Sequence, residues 1–134
     1  MYLLDANIIS ELRKPRPHGA VLSWIEKIAD TDLYLCALTI GEIQAGIEIT
    51  READPVKAAS IESWADQVSA SYNVLSMDAA IYRLGAKLMH RRSDVLYEDA
   101  MIAACAIIHN LTVVTRDTRD FEGFSVPLLN PFGN

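Results

Sequence analysis

Residues 33–49, LYLCALTIGEIQAGIEI, decide the fold of this chain. The apolar run at 33–36 is typical of a short buried strand. From residue 39 to 49, Ile40, Ile43 and Ile47 share one face of a helix that follows the strand almost at once. Gly46 lies on the same face and would let another element approach closely. A strand that leads directly into a helix is the repeating unit of parallel α/β folds, so the same unit is expected elsewhere in the chain.

Strands alternate with helices along the whole sequence. Strands are predicted at 2–5, 33–36, 72–75, 111–115 and 126–129, and helices at about 19–29, 39–49, 55–71, 78–92 and 98–109. A further short helix after the first strand is broken by Pro15 and Pro17, and residues 116–125 are predicted to be a polar loop. This order predicts a three-layer α/β/α sandwich, in one domain of residues 1–134, with a mainly parallel central sheet of about five strands.

The composition is that of a folded, acidic protein. The 134 residues are 51% hydrophobic, and 12 basic against 18 acidic residues give a net charge of −6. The longest apolar run, 100–108, is too short to cross a bilayer, and no secretion signal opens the chain, so we expect a cytoplasmic protein with no membrane contact. We expect Cys36 and Cys105 to be buried, reduced thiols.

Four carboxylates follow strands or open helices. Asp5 ends the first strand and Asp117 follows the fourth, while Glu42 and Asp99 lie in the first turns of two helices. In a parallel α/β sheet these positions share one edge, where ligands bind. Like charges gathered there repel unless protons or cations neutralise them, and hard divalent cations prefer oxygen ligands. The sequence therefore predicts a shared Mg²⁺ or Mn²⁺ site.

Each carboxylate also has a local explanation. Asp5 would cap the helix after it, Thr39-x-x-Glu42 has the spacing of a capping box, and Asp117 fits an Asx turn. The pair Glu98-Asp99 would complement a helix dipole. Singly, each cap is the simpler explanation. The set of four favours a metal site, because caps need not converge whereas ligands must.

Four blocks of sequence resemble the motifs of a known family. They are LLDANIIS (3–10), LTIGEIQAG (38–46), EDAMIAACA (98–106) and TVVTRDTRDF (112–121). In order and separation they resemble the blocks of PIN-domain nucleases, above all the toxin subunits of bacterial VapBC and FitAB toxin–antitoxin pairs. The resemblance extends from residue 2 to the ending NPFGN, which departs slightly from a common Asn-Pro-Trp.

The resemblance implies roles for particular residues. The family's catalytic, metal-binding positions match Asp5, Glu42, Asp99 and Asp117. Polar positions that line the same pocket match Asn7, Thr39 and Thr115. Many relatives have Asn where this chain has Asp117 and an Asp three residues later, so the division of work between Asp117 and Asp120 stays open.

The resemblance also implies an activity and partners. One or two Mg²⁺ or Mn²⁺ ions would activate water and neutralise charge during hydrolysis of RNA phosphodiester bonds. The substrate would be transfer or ribosomal RNA, a cognate antitoxin would block the site, and two copies of the chain would form a homodimer. The alternative is a catalytically silent PIN-like protein that regulates by binding RNA or an antitoxin.

Two unrelated classes of protein fit the sequence less well. A haloacid-dehalogenase-like phosphatase needs a second Asp two residues after the first, and that position is Asn7. A response-regulator receiver needs paired acids at the first strand and a Lys after the last, and Leu129-Asn130-Pro131 supplies none.

Arg116 is the basic residue nearest to the predicted site in sequence, and we expect it to contact RNA phosphate. Reversing its charge in Arg116→Glu should lower the rate of RNA cleavage while the circular dichroism spectrum and the melting temperature stay unchanged. A cleavage rate equal to that of the unmodified protein would remove Arg116 from the mechanism.

Overall fold

The computed structural model describes residues 1–133. The strands are β1 (Tyr2–Leu4), β2 (Leu33–Cys36), β3 (Asn73–Leu75), β4 (Thr112–Val114) and β5 (Leu128–Leu129). The helices are α1 (Ala6–Arg13), α2 (Gly19–Glu26), α3 (Ala37–Ala53), α4 (Pro55–Ser71), α5 (Ala79–Met89), α6 (Tyr97–His109) and α7 (Thr118–Phe121). The five strands form one sheet in the order β3-β2-β1-β4-β5, and every neighbouring pair is parallel. The predicted fold class is confirmed.

The strand order reverses at β1, which lies between β2 and β4. In such sheets the chain leaves two neighbouring strands toward opposite sides, and a crevice opens beyond their carboxyl ends. Asp5 follows β1 directly, and its backbone N–H donates to Val114 O of β4 over 2.9 Å. Thr115 follows β4, so these two polar side chains leave the sheet at the reversal point.

Two hydrophobic clusters pack on the sheet. The first surrounds α6, in which residues 100–106 are all buried, together with Phe121 and Phe124. The second joins α1, α2 and the end of α4 to the strands through Ile8, Val21 and Val68. The expectation that the apolar helix at 98–109 is buried is confirmed, because a helix that is apolar on all sides must be enclosed.

Strong local signals placed several element boundaries correctly. The strand at 33–36 and the helix at 55–71 agree with β2 and α4. Asp54 is the N-cap of α4, since its side chain accepts from Lys57 N over 3.0 Å, and Pro55 takes the first helical position. Asn110 ends α6 in the left-handed conformation at φ 56°.

The structure corrects three expectations. The predicted polar loop at 116–125 contains α7 and a 3₁₀ turn, Glu122–Phe124, because Phe121 and Phe124 are drawn into the core. The helix predicted at 39–49 extends over 37–53. We expected Gly46 to let another element approach closely, but it is exposed and a Cβ there would meet no atom within 4 Å. Asn134, at the end of NPFGN, lies outside the described residues.

Cys36 and Cys105 are both buried and unpaired by a disulfide, as expected. Across residues 1–133, none of the helices combines the length and apolarity needed to cross a membrane.

At Gly85 of α5, the packing against α6 leaves no room for a side chain. A Cβ there would overlap Sδ of Met101, which is only 1% exposed on α6. Gly85→Ala should therefore lower the free energy of unfolding by about 1–3 kcal/mol in urea titrations followed by tryptophan fluorescence. The matched control Gly46→Ala should raise it by about 0.5–1 kcal/mol, because Ala is the better helix former. Equal effects of the two substitutions would contradict this account of α5–α6 packing.

A carboxylate centre at the edge of the sheet

Asp5 lies at the point where β1, α1 and β4 meet. It is the N-cap of α1, and its Oδ1 accepts from Ala6 N over 2.8 Å. Its Oδ2 accepts from Thr115 Oγ1 over 2.8 Å. Asp5 is 7% exposed and Thr115 is 0% exposed, so this bond is shielded from water. The cap expected for Asp5 is therefore present. It does not exclude a second role, because the other oxygen of the carboxylate faces the side chains of the crevice.

Asn7 links Asp5 to the loop after β4. Its Nδ2 lies 3.4 Å from Asp5 Oδ2, 3.2 Å from Thr115 Oγ1 and 3.1 Å from Asp117 Oδ2. Its Oδ1 accepts from Arg116 N over 3.2 Å. The Asp117 side chain makes no capping bond with α7, so the Asx-turn alternative is not what holds it. One amide thus sets the position of Asp117, which is exposed to solvent.

Glu42 and Thr39 do not form a capping box. Helix α3 begins at Ala37, with Cys36 as an N-cap that makes no side-chain bond, so Thr39 lies inside the first turn. Within residues 1–133, Thr39 Oγ1 and Glu42 Oε1 are buried and lack a hydrogen-bond partner. Leaving a buried polar atom unsatisfied costs about 1–3 kcal/mol, so such atoms call for an explanation. An oxygen with free lone pairs facing other carboxylates fits a cation.

The first turn of α6 contributes Asp99 and Glu98. Glu98 lies near Glu42, and its carboxyl group is one of the causes that raise the pKa of Glu42. Glu98 was expected only to complement the helix dipole and was not among the predicted site residues. Its position directly before Asp99 was the available signal, but adjacent helical residues normally point in different directions.

Burial and mutual repulsion perturb these carboxyl groups. Desolvation, followed by the contact with Glu98 and repulsion from Asp5 and Asp99, raises the pKa of Glu42 to about 8. Desolvation, with repulsion from Asp5 next, raises the pKa of Asp99 to about 7. Desolvation also raises the pKa of Asp5, although its hydrogen bonds from Thr115 and Ala6 oppose the shift. A bound divalent cation would reverse all three shifts, because it favours the charged forms.

All four predicted carboxylates therefore lie at one edge of the sheet, within electrostatic reach of one another. Asp117 and Asp120 both act on Asp99, so both lie near it, and Asp120 is exposed in the first turn of α7. In the described part of the chain, however, no three Asp, Glu, His or Cys side chains are already grouped closely enough to hold one ion. The donor set fits Mg²⁺ or Mn²⁺ in chemistry, since it consists of oxygens only, and the side chains would have to draw together around the ion.

Comparison with known proteins identifies the family to which this fold and this site belong. A model of the PIN domain matches residues 2–125, and the chain belongs to this family. Toxin FitB of Neisseria gonorrhoeae is 32% identical over 138 residues, which cover 98% of this chain and 99% of FitB. VapC ribonuclease Y4jK of Sinorhizobium fredii is 32% identical over 146 residues, covering 98% of each chain. The crystal structure of FitAcB from N. gonorrhoeae superposes over 100% of both chains with a TM-score of 0.87 and 30% identity. The resemblance to VapC- and FitB-type toxins is confirmed.

The raised pKa values predict how stability depends on pH. Glu42 and Asp99 bind more protons in the folded state than in the unfolded state, where their pKa values are 4.5 and 3.8. Without metal, the free energy of unfolding should therefore fall as pH rises from about 5 to about 8. The carboxylates with lowered pKa titrate below this window and do not oppose the trend; they are Glu11, Glu48 and Glu62.

Thermal melts in EDTA across this pH range measure the trend. Glu42→Gln should flatten it, whereas Glu52→Gln, at an exposed position of the same helix, should leave it unchanged. Added Mn²⁺ should raise the melting temperature most at the alkaline end, because binding requires charged ligands. A melting temperature that rises with pH in EDTA would contradict the assignment of these groups.

Proposed function

We propose that this chain is a metal-dependent endoribonuclease that acts as the toxin of a toxin–antitoxin pair. The observation that carries the proposal is the buried, unpartnered Glu42 Oε1 within a group of carboxylates whose pKa values are raised. A site of this kind gains most from a hard cation and would lose stability without one. The names of the full-length relatives, a toxin and a VapC ribonuclease, support the same activity.

Asp5, Glu42, Asp99 and Asp117 are the proposed ligands of one or two Mg²⁺ or Mn²⁺ ions. When bound, such an ion makes water a nucleophile near neutral pH and stabilises charge that develops on the phosphate. Asp5 holds its place through the bond from Thr115 Oγ1, and Asn7 orients Asp117. The Thr39 hydroxyl, which is buried beside the site on α3, is free to donate to a ligand oxygen or to bound water. The nearby carboxyl group of Glu98 raises the pKa of Glu42 further, and a bound cation would oppose that effect.

Of Asp117 and Asp120, we propose Asp117 as the metal ligand. Asn7 Nδ2 donates to Asp117 Oδ2 over 3.1 Å, so this carboxylate is oriented by a residue that also touches Asp5. The Asp120 carboxylate is not held in this way. At Asp120 the backbone N–H is the bonded group, and it donates to Asp117 O. Asp120 then contributes negative potential and a place for metal-bound water.

The proposed partners follow from the same relatives. One full-length relative is named as a toxin, and we propose that a cognate antitoxin covers the site of the present chain. We also propose that two copies of the chain form a homodimer and that the substrate is transfer or ribosomal RNA. The protein would meet this RNA in the cytoplasm. The second candidate function is a silent PIN-like binder of RNA or antitoxin, which turnover would exclude.

RNA cleavage by the purified chain tests the activity. Cleavage of total transfer and ribosomal RNA should require Mn²⁺ or Mg²⁺ and stop in EDTA. Glu42→Gln should lower the rate by about 100-fold or more, because an amide oxygen is a poor substitute for a charged ligand. Glu52→Gln, which makes the same chemical change on an exposed part of α3, should retain full activity.

The two variants must be compared at equal folded fraction, which circular dichroism reports. Equal cleavage by Glu42→Gln and the unmodified chain would mean that the site is wrong or a contaminant acts. Metal-independent cleavage would reject the mechanism, and binding of RNA without any turnover would favour the silent alternative.

A further inference from the structure

A cationic and aromatic cluster lies beside the carboxylates. The Arg116 guanidinium carbon is 4.6 Å from the centroid of the Phe132 ring, and the His18 ring meets Phe132 edge-on at 5.2 Å. We call these three side chains the Arg116–Phe132–His18 cluster. They come from the loop after β4, the end of the chain and the loop after α1. Since sequence separates them widely, only the fold brings them together.

The cluster is tied to the metal centre through the backbone. Arg116 N donates to Asn7 Oδ1 over 3.2 Å, and the same Asn7 contacts Asp5 and Asp117. Phe132 is fixed by the bond from its N–H to Asn130 Oδ1 over 2.9 Å. The Arg116 side chain is exposed, so one face of its guanidinium covers Phe132 while its other groups meet solvent next to the carboxylates.

His18 is held in place by Glu11. His18 N donates to Glu11 Oε2 over 2.9 Å, and Lys14 Nζ donates to Oε1 of the same carboxylate over 2.9 Å. Glu11 is only 7% exposed, so it is an anchored acceptor for the loop. His18 Nδ1 accepts from Ala20 N over 3.2 Å, which leaves Nε2 as the ring's hydrogen donor. The cluster thus presents N–H donors from two side chains and no acceptor from Arg116.

Because the protein is acidic, binding of a polyanionic substrate requires basic side chains such as those of this cluster. The chain carries −6, and the metal centre concentrates negative charge at the edge where RNA must arrive. Phosphate contacts from basic side chains supply most of the affinity for nucleic acid. An Arg guanidinium held over an aromatic ring also offers a plane on which an unpaired base can stack.

We propose that the Arg116–Phe132–His18 cluster is a subsite for one unpaired nucleotide of RNA beside the phosphodiester bond that is cut. Arg116 and His18 Nε2–H donate to its phosphate, and the base stacks on the outer face of the guanidinium. Phe132 acts as a positioning residue, because the guanidinium carbon of Arg116 lies over its ring. This inference rests on the proposed nuclease function and adds to it the residues that place the substrate.

Binding and cleavage of RNA by three variants test the subsite. Arg116→Gln removes the charge, Phe132→Leu keeps an apolar side chain and removes the ring, and Arg83→Gln is the control. Arg83 is exposed on α5, which contributes nothing to the metal centre, and its substitution makes the same change of charge. The probe is a short fluorescein-labelled single-stranded RNA of mixed sequence, bound in Ca²⁺ and followed by anisotropy at several salt concentrations. Cleavage of the same RNA in Mn²⁺ gives kcat and KM.

Both site variants should weaken RNA binding and raise KM by about tenfold, the effect of losing one stacking or phosphate contact, with kcat nearly unchanged. The slope of log affinity against log salt should shrink by about 0.7 for Arg116→Gln, because one phosphate contact is lost. It should stay the same for Phe132→Leu, which keeps the charge. If the role of Phe132 were purely structural, Phe132→Leu would change the melting temperature or kcat as well as KM.

The outcomes separate this inference from the proposed function. If the unmodified chain cleaves RNA with metal, but both site variants bind and cleave like Arg83→Gln, the subsite is wrong and the nuclease stands. If the unmodified chain neither binds nor cleaves the RNA, both fail. If Phe132→Leu loses the same salt slope as Arg116→Gln, the positioning role assigned to Phe132 is overturned.

Discussion

The buried hydrogen bond from Thr115 Oγ1 to Asp5 Oδ2 is the contact on which the rest of the site depends. It joins the residues that follow β1 and β4, the two strands between which the sheet reverses its order. Because both groups are shielded from water, losing either would remove a hydrogen bond of the other that water cannot readily replace. Asn7 Nδ2 donates to Thr115 Oγ1 and to Asp117 Oδ2. Asn7 Oδ1 accepts from Arg116 N, so the loop that carries Arg116 is held by the same group of contacts.

Carboxylates can be gathered at one edge because the elements that carry them are fixed by forces elsewhere. Helix α6 brings Asp99 and Glu98 to the crevice because residues 100–106 are buried in the core. Helix α3 brings Glu42, and its contact with α4 includes the ion pair between Arg51 and Glu62. Hydrophobic burial therefore offsets the repulsion that raises the pKa values of Glu42 and Asp99. The remaining repulsion among these carboxylates is what the proposed cation would relieve.

Elements with strong local signals were predictable from the sequence. Asp54-Pro55 marks a helix start chemically, and the run Leu33–Cys36 is apolar and β-prone, so both boundaries were correct. The segment 116–125 was not predictable, because its polar residues suit a loop and only the core decides that Phe121 and Phe124 turn inward. Gly46 and Gly85 show the same limit, since the sequence indicates a helical glycine but not what lies opposite it.

The sequence by itself determined that Asp5 and Asp117 follow strands and that Asp99 lies in the first turn of a helix, since these positions follow from periodicity and share one edge in any parallel sheet. Glu42, which was predicted in the first turn of its helix, lies in the second turn of α3. The sequence also determined the family, through four blocks in order. The tertiary structure alone decided that Glu42 Oε1 has no partner, that Glu98 lies near Glu42, and that Asn7 orients Asp117 rather than Asp120. These contacts join residues far apart in the chain, and their existence depends on distances of a few tenths of an ångström that no local pattern encodes.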